Sequence, residues 1–213
     1  MTTEHTATLK QETAFHWAGQ SRKIAPWIGR ALFVMAGALL LVSLALPYWR
    51  LVLFAPQYPG GLRMQAYATR LTGDVREIDG LNHYIGMRKL ESAARVERTL
   101  ARYAVPVLAA LIAVAAFLPT RWAWVPVVLL LAYPLVFVAD LAFWLYYAGH
   151  TLDPTAAIRL KPFTPSLLGE GKIAQFRTLT QFGIGFYLAA GAAITGIMAT
   201  LFRWWEARVA VRG

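Results

Sequence analysis

Tyr103–Pro119 reads YAVPVLAALIAVAAFLP and Trp122–Tyr147 reads WAWVPVVLLLAYPLVFVADLAFWLYY, with only Thr120 and Arg121 between them. This stretch decides the class of the protein. About 20 mostly apolar residues carry a helix across the ~30 Å hydrocarbon core of a bilayer. The first run is short, at 17 residues, and uncharged; the second has 26 and one charge, Asp140. The turn Pro119-Thr120-Arg121 is so tight that the two helices must be antiparallel neighbours.

Two more apolar runs lie outside this pair. Ile28–Trp49 is interrupted only by Arg30 and Ser43, and Gly183–Phe202 is uncharged. The expected fold class is therefore an all-α polytopic membrane protein, four transmembrane helices with a small extramembrane cap of mixed structure. Its parts are a polar N-terminal tail (1–27), spans at 28–49, 103–119, 122–147 and 183–202, external loops at 50–102 and 148–182, and a basic C-terminal tail (203–213). The first run is too long for the apolar region of a cleaved signal and reads as an anchor that stays. Trp27, Tyr48, Trp49, Trp122, Trp124, Trp144, Tyr146, Tyr147, Trp204 and Trp205 cluster at span ends, where amphipathic rings meet headgroups. Pro126 and Pro134 are expected to kink the third helix. Gly185 with Ala189, and Ala192 with Gly196, give the fourth helix small residues four apart for close packing.

Composition agrees. The chain is 58% hydrophobic and 15% charged, against about 45–50% and 25% in soluble domains, and its mean hydropathy is +0.47. The net charge is +10. Beside apolar runs, an anionic lipid surface is the simpler counterpart of that charge than nucleic acid. Cysteine is absent, which excludes disulfides, thiolate metal sites and cysteine nucleophiles. No phosphate-binding Gly-x4-Gly-Lys-Ser/Thr loop, Gly-x-Ser-x-Gly or His-Glu-x2-His occurs, so neither nucleotide binding nor catalysis of its own is expected.

Four spans place both termini and Arg121 on one side and both long loops on the other. Of the 21 Lys and Arg residues, 8 fall on the terminal side and 13 on the loop side. The flanks of the first span weigh most. Arg22, Lys23 and Arg30 precede or open it, against Arg50 and Arg63 behind it. The expected orientation puts both termini in the cytoplasm and both long loops outside.

In the first loop, Leu62, Met64, Ala66 and Ala68 alternate with Arg63, Gln65, Tyr67 and Thr69, a half-exposed strand. Thr72-Gly73 turns, and Asp74–Ile78 reads as a short returning strand. Arg88–Arg102 reads as an amphipathic helix with Leu90, Val96, Leu100 and Tyr103 on one stripe. The second loop is rich in turn formers and shows no period. Lying on one side, the two loops can pack as one cap.

His5 and His16 sit in the polar tail and read as solvated. His83 and His150 lie one in each loop. If Gly80–Met87 is helical, His83 and Met87 share a face at i and i+4. Imidazole with thioether suits copper, Cu(I) above all. His150 follows the third span, and Met64 is a possible further sulfur donor. The competing reading is a hydrogen-bonded histidine beside a methionine that fills core space. Asp140, the one acid inside a span, either serves an ion or proton relay or makes a structural hydrogen bond.

Two sets of strings add a resemblance. Ala55-Pro-Gln-Tyr-Pro-Gly-Gly-Leu62 with Leu81-Asn-His-Tyr-Ile-Gly-Met87, and Gly149-His-Thr-Leu-Asp-Pro154 with Pro162-Phe-Thr-Pro165, resemble a small polytopic membrane family encoded with nitrous-oxide reductase and copper-enzyme maturation. The resemblance implies a bacterial inner membrane with periplasmic loops and an accessory role in denitrification with copper handled outside the membrane, and matches His83, Met87 and His150 to the family strings. The expected function is thus a membrane-anchored accessory protein that binds copper transiently on the outer face and hands it to a copper enzyme, a chaperone or a respiratory complex. The alternatives are a structural or assembly subunit of a respiratory complex, and a membrane enzyme that binds a lipid or quinone.

Overall fold

The computed structural model describes residues 27–173 and 175–212. In chain order come helix α1 (Trp27–Ser43), strands β1 (Trp49–Ala55), β2 (Tyr58–Ala66) and β3 (Leu71–Gly73), helix α2 (Val75–Tyr84), a 3-10 turn (Leu90–Ser92), helices α3 (Arg95–Ala115) and α4 (Thr120–His150), strands β4 (Gly169–Ile173) and β5 (Phe176–Phe182), and helix α5 (Ile184–Arg212). His5 and His16 lie outside the described residues.

This architecture is mixed α/β and corrects the expectation of an all-α protein with four transmembrane helices. The strands form one antiparallel sheet in the order β3-β2-β1-β5-β4. Among the described residues, three helices are long and apolar enough to cross a membrane, namely α3, α4 and α5 up to Val209. Helix α1 is a shorter apolar helix.

The first apolar run is where the all-α reading breaks. Its helix stops at Ser43. The amides of Leu44, Ala45 and Leu46 bond back three residues, at 3.0–3.2 Å, the tightening typical of a final turn. Pro47 then offers no amide to continue it. From Trp49 the chain is extended, with Trp49, Leu51, Leu53 and Ala55 buried and Arg50, Val52 and Phe54 half-buried. Hydropathy hides this central strand, because Val52 and Phe54 make its second face nearly as apolar as its first.

Strand β5 was hidden for the opposite reason. Its inner face is Phe176, Thr178 and Thr180, while the outward Leu179 is 41% exposed. The strand expected at Leu62–Thr69 is the second half of β2, which ends at Ala66; Leu62, Met64 and Ala66 are its buried face, and Ala68 just beyond it is buried as well. The return strand is Leu71–Gly73 rather than Asp74–Ile78, which instead opens α2. Gly73 has φ +94, and a Cβ there would strike the Arg63 carbonyl. The helix expected from Arg88 begins at Arg95 and runs unbroken to Ala115.

Two apolar cores result. One is the helical bundle, where Phe33, Ala36 and Leu40 of α1 meet Val105, Ala109 and Ile112 of α3, Ala123, Val127 and Leu130 of α4, and Ala189, Ala192 and Ala193 of α5. Its many alanines allow close approach; a Cβ on Gly37 would lie 2.9 Å from the Ala109 carbonyl oxygen. The other lies under the sheet, where Trp49, Leu51, Leu53, Leu62, Met64 and Phe176 pack on Ile78, Leu81 and Ile85 around α2. Helix α4 joins the two. Its 31 residues reach about 46 Å at 1.5 Å each, more than the bilayer core requires. Phe137 touches both cores, and Leu141 and Leu145, on the same face, pack against the sheet core.

Candidate functional site

Between the sheet and the bundle lies a cavity of about 820 Å³. Its roof is the inner face of the sheet, with Trp49, Leu51, Leu53, Met64 and Ala66. Its floor is formed by Val105 and Leu108 of α3 and Tyr133, Val136 and Phe137 of α4. That size falls within the usual range for small-molecule sites, about 300–1,000 Å³. The walls are overwhelmingly apolar, and small side chains at Ala66, Ala101, Ala104 and Ala148 leave the space unfilled.

The polar groups around it divide into three sets. Charged residues form one part of the lining. Arg88, Lys89 and Glu97 are exposed, and Arg98 and Asp140 half-buried. Arg98 is spent on structure, donating to the carbonyls of Glu91 (2.8 Å), Ala93 (2.5 Å) and Ala94 (3.2 Å). It thereby holds the turn into α3, where Ala94 adopts φ +50. Arg88 lies over the ring of Tyr147, 5.2 Å from its centroid. Asp79 accepts from the amides of Leu90 (2.6 Å) and Glu91 (3.3 Å) and so fixes the 3-10 turn.

The second set is a one-way hydrogen-bond chain at the floor. Ser43 Oγ lies 2.5 Å from the Leu40 carbonyl oxygen, which can only accept, so Ser43 donates there. Tyr48 Oη, 2.6 Å from Ser43 Oγ, must then be the donor to it. Tyr133 Oη in turn donates to Tyr48 Oη at 3.1 Å. Burial pushes the Tyr48 hydroxyl above the usual phenol range, although its bonds to Ser43 and Tyr133 pull the other way.

The third set lies on the sheet wall. Thr180 Oγ1 donates to the carbonyls of Gly169 (3.1 Å) and Ser166 (3.3 Å). Thr178, two residues earlier on the same face, is 4% exposed, and its hydroxyl has no partner among the described residues. Its ladder neighbours are Leu53 and Gly171. An orphaned buried hydroxyl costs about 1–3 kcal/mol, and valine would fit a strand without that cost. Asn82, 5% exposed, also lines the cavity.

The residues singled out in the sequence fall in different places. Asp140 lines the cavity within electrostatic range of Glu97. Trp144 Nε1 on the next turn has no well-formed partner. Met64 and Met87 line the cavity. His83 and Met87 do not share a helical face, because α2 ends at Tyr84 and Gly86 turns the chain with φ +77. His83 is exposed, and Met87 is half-buried against the sheet core.

The two loops do meet. Gly86 O accepts from Asp153 N, and Tyr84 O from Ile158 N, both at 2.9 Å. This seats the His83 turn on the segment after His150. Two bonds from Thr155, from its hydroxyl and its amide, hold the exposed Asp153 carboxyl below the usual carboxylate range. His150 stacks on Tyr146 with ring centres 3.9 Å apart, and its Nδ1 lies 2.9 Å from the Tyr146 carbonyl oxygen. That oxygen accepts, so Nδ1 carries a proton, and Nε2 is the nitrogen left to meet any other group. Among the described residues no group of three or more His, Cys, Asp or Glu is placed to hold a metal; methionine sulfur stands outside that set.

The cavity is the feature that reading the sequence missed. Its signal was the pair Thr178 and Thr180, polar residues on the inner face of a strand whose outer face carries Leu179. Compared with known protein families and curated proteins, the chain matches no family model and no curated protein.

Proposed function

We propose that this chain is a membrane protein that holds an amphipathic, mostly apolar small molecule of lipid or quinone type between its sheet and its helical bundle. The observation that carries the reading is the cavity of about 820 Å³, walled mostly by apolar side chains with few charged residues among its lining. A soluble metabolite would gain little from such walls, whereas each buried methylene of an alkyl tail contributes about 0.8 kcal/mol. The cavity lies where α3 and α4 leave the bundle core, within reach of molecules dissolved in a membrane.

The test is solvent extraction of the purified protein followed by mass spectrometry, alongside Ala101→Trp, which projects a large ring from the α3 wall. A stoichiometric amphiphile in the wild type that is lost from a folded Ala101→Trp protein is the expected result. Wild type that retains no amphiphile, and takes up none when reconstituted, overturns the proposal.

A second reading follows the family resemblance: an accessory protein of the bacterial inner membrane, with cytoplasmic termini, that binds copper and serves a copper respiratory enzyme such as nitrous-oxide reductase. Its support is the seating of the His83 turn against the segment after His150, with His150 Nδ1 bonded to the Tyr146 carbonyl so that Nε2 is the nitrogen left for a ligand. Titration with Cu(I) against a competing chelator tests it. Tight binding lost in His83→Ala/Met87→Ala favours the copper reading, and absence of tight binding in the wild type refutes it.

A further inference from the structure

We infer that the outer face of the sheet, where β1 leaves the membrane, binds the phosphate of an anionic phospholipid through Arg50. This site lies on the opposite side of the sheet from the cavity and is independent of what the cavity holds. Arg50, Val52 and Phe54 of β1 alternate with the residues that roof the cavity, and the ladder sets their neighbours in rows. Arg50 stands between Gln65 of β2 and Gln181 of β5. Val52 stands between Arg63 and Leu179, and Phe54 is followed outward by Arg177 and Lys172. Arg63, Leu179, Gln181, Arg177 and Lys172 are all exposed. The carboxylate in these rows is Glu170, beside Leu179 on the edge strand β4.

Height decides what meets the first row. Ile184 and Trp204 lie about 30 Å apart along α5 at 1.5 Å per residue, the thickness of a hydrocarbon core. Gln181 comes just before Ile184, and Arg50 just after Tyr48 and Trp49, so the row Gln65–Arg50–Gln181 stands at headgroup level. The inner face of the sheet looks towards α3 and α4. The outer face therefore stands over the lipid-facing flanks of α1 and α5, where Leu41, Val42 and Ile184 are exposed.

Arg50 is half-buried, and its Nε is covered and without a partner. That leaves the two terminal nitrogens of the fork to meet a ligand, and a phosphate matches their geometry. Arg63 is a diagonal neighbour at about 7–8 Å, within reach of the same phosphate. Asp74 does not neutralise the row, since its carboxylate accepts from the Arg63 amide at 2.8 Å. Gln65 Oε1 takes the Tyr67 hydroxyl at 3.3 Å, which leaves its amide nitrogen as a donor beside Arg50. The ammonium of a zwitterionic headgroup would meet arginine here and no carboxylate, so the site favours a lipid of net negative charge.

The probes are phosphatidylglycerol and phosphatidylethanolamine with the same acyl chains, titrated against the full-length protein in a neutral detergent and counted by native mass spectrometry. Phosphatidylglycerol is expected to bind about fivefold or more tighter. Arg50→Gln should remove most of that preference, and Arg50→Lys, which keeps the charge and loses the fork, should fall between. Lys172→Gln makes the same change of charge away from the headgroups and should stay within about twofold of wild type. Inorganic phosphate should compete no better than chloride of equal ionic strength. Circular dichroism checks the variants, and the comparison of the two lipids on the wild type stands whatever the variants do. Equal binding of the two lipids overturns the inference and leaves the basic face to a soluble acidic partner. Arg50→Gln binding like wild type, or Lys172→Gln weakening as much as Arg50→Gln, overturns the assigned site. Displacement by phosphate overturns the lipid as its source. A lipid held in the cavity is indifferent to Arg50→Gln, so each of these failures leaves the cavity reading standing.

Discussion

The hydrogen-bond chain Tyr133→Tyr48→Ser43→Leu40 has a direction, and direction makes its two tyrosines unequal. Tyr48→Phe removes the acceptor of the half-buried Tyr133 hydroxyl and leaves that donor without a protein partner, a cost of about 1–3 kcal/mol. Tyr133→Phe removes only an incoming bond. Tyr48 still donates to Ser43, and the loss is that of one net hydrogen bond, about 0.5–1.5 kcal/mol. In the double variant the orphan is gone, so its cost should match Tyr48→Phe alone or fall below it, with a coupling of about 1 kcal/mol between the sites. For a chain of this length 1 kcal/mol moves a melting midpoint by about 2–4 °C. Tyr48→Phe is therefore expected to lower the midpoint by about 2–12 °C, and Tyr133→Phe by about half as much. The assay is thermal unfolding of all four proteins in one neutral detergent at one scan rate. Tyr133→Phe costing as much as Tyr48→Phe, or a double variant equal to the sum of the singles, would refute the assigned direction. The pH dependence has a definite sign as well. Folding raises the Tyr48 hydroxyl above its ordinary value of 10.0, so its contribution is intact below pH 10 and lost as pH rises through the folded-state value. Tyr48→Phe should abolish that alkaline loss.

Other perturbations test the frame around the cavity. Arg203 donates to the carbonyls of Ala115 (2.8 Å), Ala116 (3.4 Å) and Leu118 (2.6 Å) at the end of α3; Arg203→Ala should cost about 2–4 kcal/mol, and Arg203→Lys should recover less than half, since one ammonium cannot span the three. Thermal midpoints of the two variants decide it. Gly149 touches the Phe163 carbonyl where any Cβ would go, so Gly149→Ala should lift that segment, and faster tryptic cleavage at Arg159 or Lys161 would report it. With no cysteine in the chain, Lys172→Cys on β4 and Arg121→Cys at the start of α4 can be labelled singly with an impermeant maleimide in spheroplasts. Labelling of Lys172→Cys alone, with Arg121→Cys protected until lysis, is the expected result; the reverse pattern overturns the proposed orientation, and labelling of both from outside overturns the crossing itself.

What was legible in the sequence was whatever one physical signal encoded cleanly. The uncharged run to Pro119 and the run after it specified α3 and α4 and their tight connection, because length and apolarity alone require it. The Leu62–Ala68 alternation gave the buried face of β2, because that face is apolar and the other polar. The sheet as a whole was not legible, for reasons particular to each strand. Strand β1 has Val52 and Phe54 on its outer face, so it merged into the preceding helix. Strand β5 reverses the expected polarity with Thr178 inside and Leu179 outside. Strand β4 is Gly169-Glu-Gly-Lys-Ile173, too short and too rich in glycine to stand out. Met87 looked like a helical partner of His83 because spacing carries no warning of a left-handed Gly86.

The cavity follows from how the sheet is attached. Strands β1 and β5 are adjacent in the sheet, and they continue directly from α1 and into α5. Tyr48 O accepts from Gly183 N, and Pro47 O from Gly185 N, each at 2.9 Å, and a Cβ on Gly183 would strike the Pro47 carbonyl. The sheet is thus clamped to the α1 and α5 side of the bundle at a fixed height. Support on the other side comes from α4, through Phe137, Leu141 and Leu145, and from α2 beneath β2. Helix α3 does not reach that far: it begins at Arg95, and the turn before it is tied down by Arg98 and Asp79 rather than by core packing. A gap must remain between the start of α3, the middle of α4 and the sheet. Small residues at Ala101, Ala104 and Ala148 leave it open where leucines would close it. Filling one wall therefore separates the roles: Ala104→Leu should raise the melting midpoint if the cavity is only a packing defect, and should leave it unchanged or lower it while expelling a bound amphiphile if the space is kept for a ligand.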